Sequence, residues 1–401
     1  MTPTRLFTIG LLIISVLIGC VDPVGSDFKA SVNVLLVDAA LTDLPEPQLI
    51  RLNRSQADPF SGNFGQTPIE QARVTVLVDG KEEVTAREIK SGVYQLPNGF
   101  QGKVGSLYKL RLTLAEGGRY ESTEEILHAA PPIQKITDQY NPRSLPPGQI
   151  AGLKAANDLF IETTDPAGVP NYYRWDWVLW ERQEFCQTCG RDFVYYERDD
   201  AGKLVEGCLP NRTVPLPFPR PQFIDYEYRT SCWEILFSAQ LNVFADTYTD
   251  GRTIAGRRIA QIPFYQYFPA LVEVRQSAFS LAAYTYFKRL DEQTQRTGGL
   301  TDTPPAAPVG NIRSLDNTKE NVVGYFTASG VSSLRYWLTR KNVTSELPAE
   351  PGSMDFPKLF TYLNTRPAYK EPVAGLRGRP PLAVCVPSDT RTPVKPEGWQ
   401  Q

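Results

Sequence analysis

Apolar residues alternate with polar ones over many short segments of this chain, and turn signals end the segments. Residues 74–78 place a valine at every second position and lead into Asp79-Gly80, a pair typical of a β-hairpin turn. Residues 108–114 form a second stripe of period two, from Tyr108 to Leu114, and Gly117-Gly118 then turns the chain. The pattern predicts antiparallel strands with one buried face.

Before these two stripes, the sequence predicts a strand over residues 30–38, with Val32, Val34 and Leu36 on one face. Residues 43–69 are polar, and we predict a long loop there that offers a binding surface. Residues 28–130 together predict an immunoglobulin-like or prealbumin-like β-sandwich.

Pro131-Pro132 marks a boundary, and residues 131–157 predict a proline-rich linker. Residues 158–401 predict a larger β-rich domain. Its strand at 172–180 carries Tyr173, Trp175 and Trp177 on one face. We favour core packing for this face over an aromatic platform for a sugar or peptide, because large aromatic side chains dominate core energetics.

One helix is predicted after residue 280. Ser280 is suited to cap it, and Ala283, Phe287 and Leu290 share one face. The predicted fold class is therefore mainly β: an N-terminal sandwich followed by a larger β-rich domain with one or two helices.

The first nineteen residues predict a signal peptide. Arg5 precedes an apolar run over residues 9–18, which is too short to span a bilayer as a helix. The run ends in Leu17-Ile18-Gly19-Cys20, and a small residue before the cysteine is typical of a lipoprotein cleavage site. We predict lipidation, with palmitate among the acyl chains, at Cys20, and a polar tether over residues 20–27. The chain is thus expected to be an exported lipoprotein, and this segment leaves open which membrane and which face it occupies.

The composition excludes some classes of protein. A net charge of −2 over 401 residues offers no electrostatic footprint for nucleic acid. The single histidine, His128, excludes zinc sites that need two or three histidines and leaves one imidazole for any catalytic triad.

Five cysteines follow Cys20, and an exported chain is expected to pair them. The simplest outcome is two disulfides and one free thiol, with the pairing left open. A zinc site or a redox role for the C-x2-C pair is the less favoured alternative. The candidates are Cys186, Cys189, Cys208, Cys232 and Cys385.

Two acidic motifs have competing interpretations. Asp199-Asp200 offers paired carboxylates for glycoside hydrolysis, but adjacent acids before Ala-Gly are more typical of a turn. The segment from Asp246 to Asp250 is only partly similar to a calcium loop, since it lacks the middle oxygen ligand and the distal glutamate. We therefore predict no metal, no cofactor and no catalytic residue.

The motifs together resemble the bacterial lipoprotein family called domain of unknown function 4249. The resemblance rests on the lipobox and on the segments at 74–79, 105–108, 165–168, 172–175 and 231–233, and on those at 308–312, 323–329 and 385–399. The family usually has a second cysteine in the tail, where this chain has Val386 to Asp389.

The resemblance implies an accessory role beside TonB-dependent outer-membrane receptors, and no enzymatic activity is implied. The expected function is a non-enzymatic binding protein that is anchored in the outer membrane, on its periplasmic or surface side, and partners such a receptor. The alternative is a carboxylate-dependent enzyme acting on polysaccharide or peptide, which would need two acidic side chains facing a cleft.

Overall fold

The computed structural model describes residues 34–57, 64–146, 153–182, 193–198, 204–209, 222–224, 228–229, 231–294, 309–343, 382–383, 385 and 387–400. These residues form a mainly β protein, which confirms the predicted fold class. The part of the chain that is described contains one helix, and it is neither long nor apolar enough to span a membrane.

The elements follow in chain order. The first nine strands are β1 (Leu35–Thr42), β2 (Leu49–Ala57), β3 (Phe64–Pro68), β4 (Arg73–Val78), β5 (Glu82–Lys90), β6 (Val93–Gln95), β7 (Leu107–Thr113), β8 (Arg119–Ser122) and β9 (Glu125–Ile126). The next eleven are β10 (Ile133–Asn141), β11 (Ala156–Thr164), β12 (Tyr172–Arg182), β13 (Phe193–Arg198), β14 (Leu204–Leu209), β15 (Gln222–Ile224), β16 (Tyr228–Arg229), β17 (Trp233–Phe237), β18 (Val243–Ala245), β19 (Thr253–Pro263) and β20 (Ala270–Phe279). Helix α1 (Leu281–Thr294) and strands β21 (Ile312–Ser314), β22 (Val322–Ser329), β23 (Val331–Leu338), β24 (Leu382–Ala383) and β25 (Arg391–Thr392) complete them.

Sheet I contains eleven strands in the order β21-β8-β7-β4-β5-β6-β2-β1-β22, with β3 beside β2 and β9 beside β7. Its core includes the two predicted stripes of alternating apolar residues, at 74–78 and at 108–114. Val74 and Val76 are fully buried, and so are Tyr108, Leu110 and Leu112. Asp79 and Gly80 both have positive φ, as the predicted hairpin turn requires.

Sheet I curls until its two outer strands, β21 and β22, almost meet. The amide of Asn311 bridges the gap: its Oδ1 accepts from Phe326 N at 2.8 Å and its Nδ2 donates to Phe326 O at 2.9 Å. The Asn311 side chain thereby bonds the Phe326 N–H and C=O groups in the way that a neighbouring strand would. Gly310 lies against the Gly324 carbonyl, too close for any Cβ atom. Two segments of the family resemblance, 308–312 and 323–329, thus meet at this closure.

The second half of the molecule is a pair of packed sheets. Sheet II has the order β10-β11-β19, and sheet III has the order β23-β20-β12-β17-β25 with β18 beside β12. Their shared core includes Trp175, Leu179, Ile161 and Ile262. Tyr173 and Trp175 are each 1 % exposed, in agreement with the preferred core interpretation of that strand face.

Two small sheets and the helix remain. One small sheet has three strands in the order β14-β13-β15, and in the other β16 pairs with β24. Helix α1 begins as expected, because Ser280 Oγ accepts from Ala283 N at 3.1 Å. Ala283 is buried against Phe279, and Phe287 packs on the same cluster.

Three local predictions differ from the structure. In β1 the buried residues are Leu35, Val37, Ala39 and Leu41, so the phase is one residue off the predicted face. Only residues 34–37 of this segment form an unbroken apolar run, which carries no phase, and a shift of one residue exchanges the two faces of a strand.

The segment at 43–69 is not one long loop. It contains β2 and β3, and Ile50 and Leu52 of β2 are buried on either side of the exposed Arg51. Similarly, the linker prediction at 131–157 differs from the structure, because β10 lies within it and pairs with β11. Both segments alternate weakly, so tertiary pairing rather than local preference decides them.

The two halves are joined by a strand pairing and by polar side-chain contacts. Residues 312–329 return to sheet I, where β22 pairs with β1 in parallel. Glu125 at the junction accepts from Tyr325 Oη at 2.6 Å and from Ser280 Oγ at 2.7 Å. Arg275 of sheet III makes two hydrogen bonds to Glu46, at 2.8 and 2.9 Å. Burial raises the pKa of Glu125 above its ordinary value.

Candidate functional site: a carboxylate clasp between two loops

Three aspartates meet between the loop that follows β11 and the loop that follows β18. We call Asp165, Asp246 and Asp250 the carboxylate clasp. One carboxylate oxygen from each lies within 4.8 Å of the others. Asp165 and Asp246 are buried, at 2 % and 3 % exposure, whereas Asp250 is exposed. Three carboxylates this close together have to be compensated, either by hydrogen-bond donors or by protonation.

The local sequence explains why the loops bring these side chains together. Asp165 follows the last residue of β11 and turns through Pro166 and Gly168, whose φ is +83°. The second loop passes Gly251, which has φ +70° and lies close to Ala167, so that a Cβ there would overlap the Ala167 Cβ. Glycine at this position allows the two backbones to approach.

Asp165 is held from both sides. The hydroxyl of Tyr173 donates to Asp165 Oδ1, and Gly251 N donates to Oδ2 at 3.3 Å. The backbone adds Asp165 N donating to Arg252 O at 3.1 Å. Asp165 therefore connects β12 with the second loop.

The other two aspartates complete the connection. Asp246 Oδ2 accepts from Asn171 N at 2.8 Å and from Asn171 Nδ2 at 3.2 Å. Asp250 Oδ1 accepts from Gly168 N at 2.6 Å. Each loop thus presents at least one carboxylate that accepts from a backbone N–H of the other loop, and these hydrogen bonds tie the two loops together.

Burial raises the pKa of Asp165 above its ordinary value, and the nearby Asp246 charge adds to this effect. The Tyr173 hydroxyl, buried and hydrogen-bonded to Asp165, also has a raised pKa. The physical cause is the same for both groups: the negative form loses hydration in the interior and has another anion beside it.

The clasp has the ligand chemistry that a hard cation such as Ca²⁺ takes, and Asp165, Asp246 and Asp250 are the described residues that could hold one. Four protein donors already occupy Asp165 and Asp246 oxygens. In this structure the carboxylates therefore act as hydrogen-bond acceptors that connect the two loops. The sequence had singled out Asp246 and Asp250 but not Asp165, which comes from a distant segment.

The supported loops carry exposed apolar side chains. Tyr248 is 90 % exposed and Val169 is 54 % exposed. Pro166 and Pro170, on the first loop, are also exposed. A large aromatic side chain on a rigid, exposed turn is the kind of residue that anchors protein interfaces.

The pH dependence of stability should reveal the buried carboxylate. Since the pKa of Asp165 is raised in the folded state, its stabilising contribution is complete below the unfolded value of 3.8 and is lost as pH rises through the folded value. Asp165→Asn does not titrate, so the variant should become more stable relative to wild type as pH rises above the unfolded value of 3.8. Urea denaturation midpoints at several pH values would measure this.

Asp165→Ala is the matched control, because it leaves the Tyr173 hydroxyl and Gly251 N without a carboxylate acceptor. It should be less stable than Asp165→Asn at every pH, by about 1–3 kcal/mol. A pH-independent difference between Asp165→Asn and wild type would contradict the raised pKa.

The structure brings together one pair of the predicted cysteines. Cys232 and Cys385 form a disulfide, with Cα atoms 5.5 Å apart. Cys20, Cys186 and Cys189 lie outside the described residues, and so does the Asp199-Asp200 pair. Cys208 lies in β14, but its side chain is outside the described part. His128 lies at the junction, where its carbonyl oxygen accepts from Gly330 N at 2.8 Å.

The described residues define a class by structure alone: a two-part β protein with a disulfide and two loops joined by carboxylates. A family model described as "Domain of unknown function (DUF4249)" matches residues 21–335, and the chain belongs to that family. A comparison with curated proteins found no significant match.

Proposed function

We propose that this chain is an exported lipoprotein of the outer membrane, anchored through Cys20, that binds a protein partner without catalysing a reaction. The clasped loops are its recognition surface. The partner proposed from the family resemblance is a TonB-dependent outer-membrane receptor.

Export is supported by two independent features. The N-terminal segment has the apolar run and the Gly19-Cys20 pair of a lipoprotein leader. The Cys232–Cys385 disulfide joins residues 153 positions apart, and such bonds persist in oxidising compartments such as the periplasm or the cell surface.

The observation that carries the binding proposal is the 90 % exposure of Tyr248 on a loop held by buried carboxylates. Immobilising a flexible loop on binding costs free energy, and a loop that is already fixed avoids this cost. Burying two carboxylates is itself expensive. The clasp therefore fits a loop pair whose geometry has to be maintained.

Site-specific photo-crosslinking in cells tests the proposal. A photoreactive amino acid at position 248 should give an adduct with a TonB-dependent receptor, identified by mass spectrometry. The same amino acid at Glu82, which is exposed on β5 of sheet I, is the matched control and should give at least tenfold less.

The Cys20→Ala background separates the anchor from the binding surface. Wild type should incorporate labelled palmitate, whereas Cys20→Ala should not, and its adduct should fall at least tenfold. Equal adducts from positions 248 and 82 would contradict the loop assignment. An undiminished adduct in unlabelled Cys20→Ala would contradict the role of the anchor.

A further inference from the structure

The C-terminal segment lies across sheet III and is attached to it at several points. Strand β25 pairs with β17, and Cys385 is bonded to Cys232 just before β17. Arg391 Nε donates to Glu234 Oε1 at 2.6 Å, in an ion pair that is buried on both sides. This attachment places residues 397–399, close to the end of the chain, over the face of sheet III that points away from sheet II.

The side chain of Trp399 is held between two other tryptophans. Its ring centroid lies 5.8 Å from that of Trp233 and 4.9 Å from that of Trp337, and both contacts are edge to face. Edge-to-face aromatic pairs are favourable beyond the area that they bury. The indole Nε1 of Trp233 is buried without a hydrogen-bond partner beside this contact.

The two residues before Trp399 fit the same surface. Arg335 donates through one guanidinium nitrogen to the Glu397 carbonyl at 2.8 Å and to the Glu397 carboxylate at 2.9 Å. Gly398 has φ +83°, and a Cβ there would lie 3.5 Å from Arg335 Cδ and 3.9 Å from Leu271 Cδ1. The surface therefore accommodates a sharp turn at Gly398, with the acidic Glu397 before it and the aromatic Trp399 after it. We call Trp233, Leu271, Arg335 and Trp337 the tryptophan slot.

The ion pair between Glu397 and Arg335 is weak by itself. The Glu397 side chain is 89 % exposed, and exposed ion pairs contribute about 0–1 kcal/mol. The disulfide and the β25 pairing hold the segment nearby and give it an effective concentration on the order of millimolar. The tail thus lies in the slot with the disulfide and the β25 pairing holding it nearby.

We propose that the tryptophan slot is a peptide-binding site for segments of the type acidic–glycine–tryptophan, and that the chain's own C terminus fills it in cis. The ligand is a polypeptide segment with a carboxylate for Arg335, a residue able to adopt positive φ, and an indole to insert between Trp233 and Trp337. The site is separate from the clasped loops and does not depend on their proposed role.

Fluorescence anisotropy with a labelled peptide, Lys-Pro-Glu-Gly-Trp-Gln, tests this on the full mature chain. The variant Glu397→Ala/Trp399→Ala vacates the slot but keeps the disulfide and the Arg391–Glu234 pair. It should bind the peptide at least tenfold more tightly than wild type, in which the tethered tail competes. A peptide with alanine in place of tryptophan should not bind either protein.

Arg335→Ala in the same background is the matched control and should weaken binding of the intact peptide at least tenfold. Equal binding of the peptide to wild type and to the vacated variant would overturn the proposal, as would binding unaffected by Arg335→Ala. Circular dichroism checks folding, and if the double variant does not fold, Trp399→Ala alone gives the same comparison.

Discussion

Replacing Gly324 by alanine is expected to lower the free energy of unfolding by roughly 3–5 kcal/mol, at the upper end of single substitutions. Gly324 lies in β22, opposite Val37 of the parallel strand β1. A Cβ at this position would overlap the Val37 carbonyl oxygen and lie 2.8 Å from the carbonyl carbon. Its φ of +120° is also a conformation that residues with a Cβ rarely adopt.

The substitution would displace β22 from β1 and open the closure at Asn311. Urea denaturation followed by tryptophan fluorescence would measure the loss. Gly80→Ala is the matched control, because Gly80 also has positive φ, at +67°, but no atom lies within 4 Å of its Cβ position. The control should cost only about 1 kcal/mol. Similar losses for both variants would show that backbone strain rather than close contact dominates at Gly324.

Removing the Cys232–Cys385 disulfide is expected to cost about 2–5 kcal/mol. The bond joins residues 153 positions apart, and a long loop gains much conformational freedom in the unfolded chain when it is cut. The variant Cys232→Ser/Cys385→Ser should therefore unfold at lower urea concentration. Limited proteolysis should also cut residues 387–400 more readily, since β25 makes only two pairings with β17.

A dithiol reductant gives the control for this prediction. Reduction should lower the stability of wild type by more than it lowers that of the double serine variant. If the reductant affects both proteins equally, the stabilisation resides elsewhere. If the variant keeps wild-type stability and an intact tail, the Arg391–Glu234 pair and the tryptophan contacts are sufficient to hold the C terminus.

The parts of the fold that could be predicted are those with a strong local signal. The stripe at residues 108–114, the Asp79-Gly80 turn and the Ser280 cap depend on neighbours within a few residues. The sequence did not show which face of β1 is buried, because the strand begins with an apolar residue on each face. The strands at 49–57 and 133–141 were missed because their polar residues conceal the alternation, and pairing with other strands stabilises them.

The candidate site was only partly visible. Asp246 and Asp250 stood out as acidic residues in a turn, but no spacing rule connects them with Asp165. The contact exists because β11 pairs with β19 over its whole length, so that the loop after β11 lies beside the loop before β19. The tryptophan slot was likewise invisible, since its members come from β17, β20 and β23.

The sequence by itself determined the lipoprotein prediction, the mainly β class and the family resemblance, because these depend on composition, short-range spacing and local turns. Among the described residues, tertiary structure decided which aspartates meet, that Cys232 is bonded to Cys385 and where residues 387–400 lie. The physical reason is that these contacts join residues far apart in the chain. Their free energy comes from desolvation and close packing, which exist only after the sheets have formed.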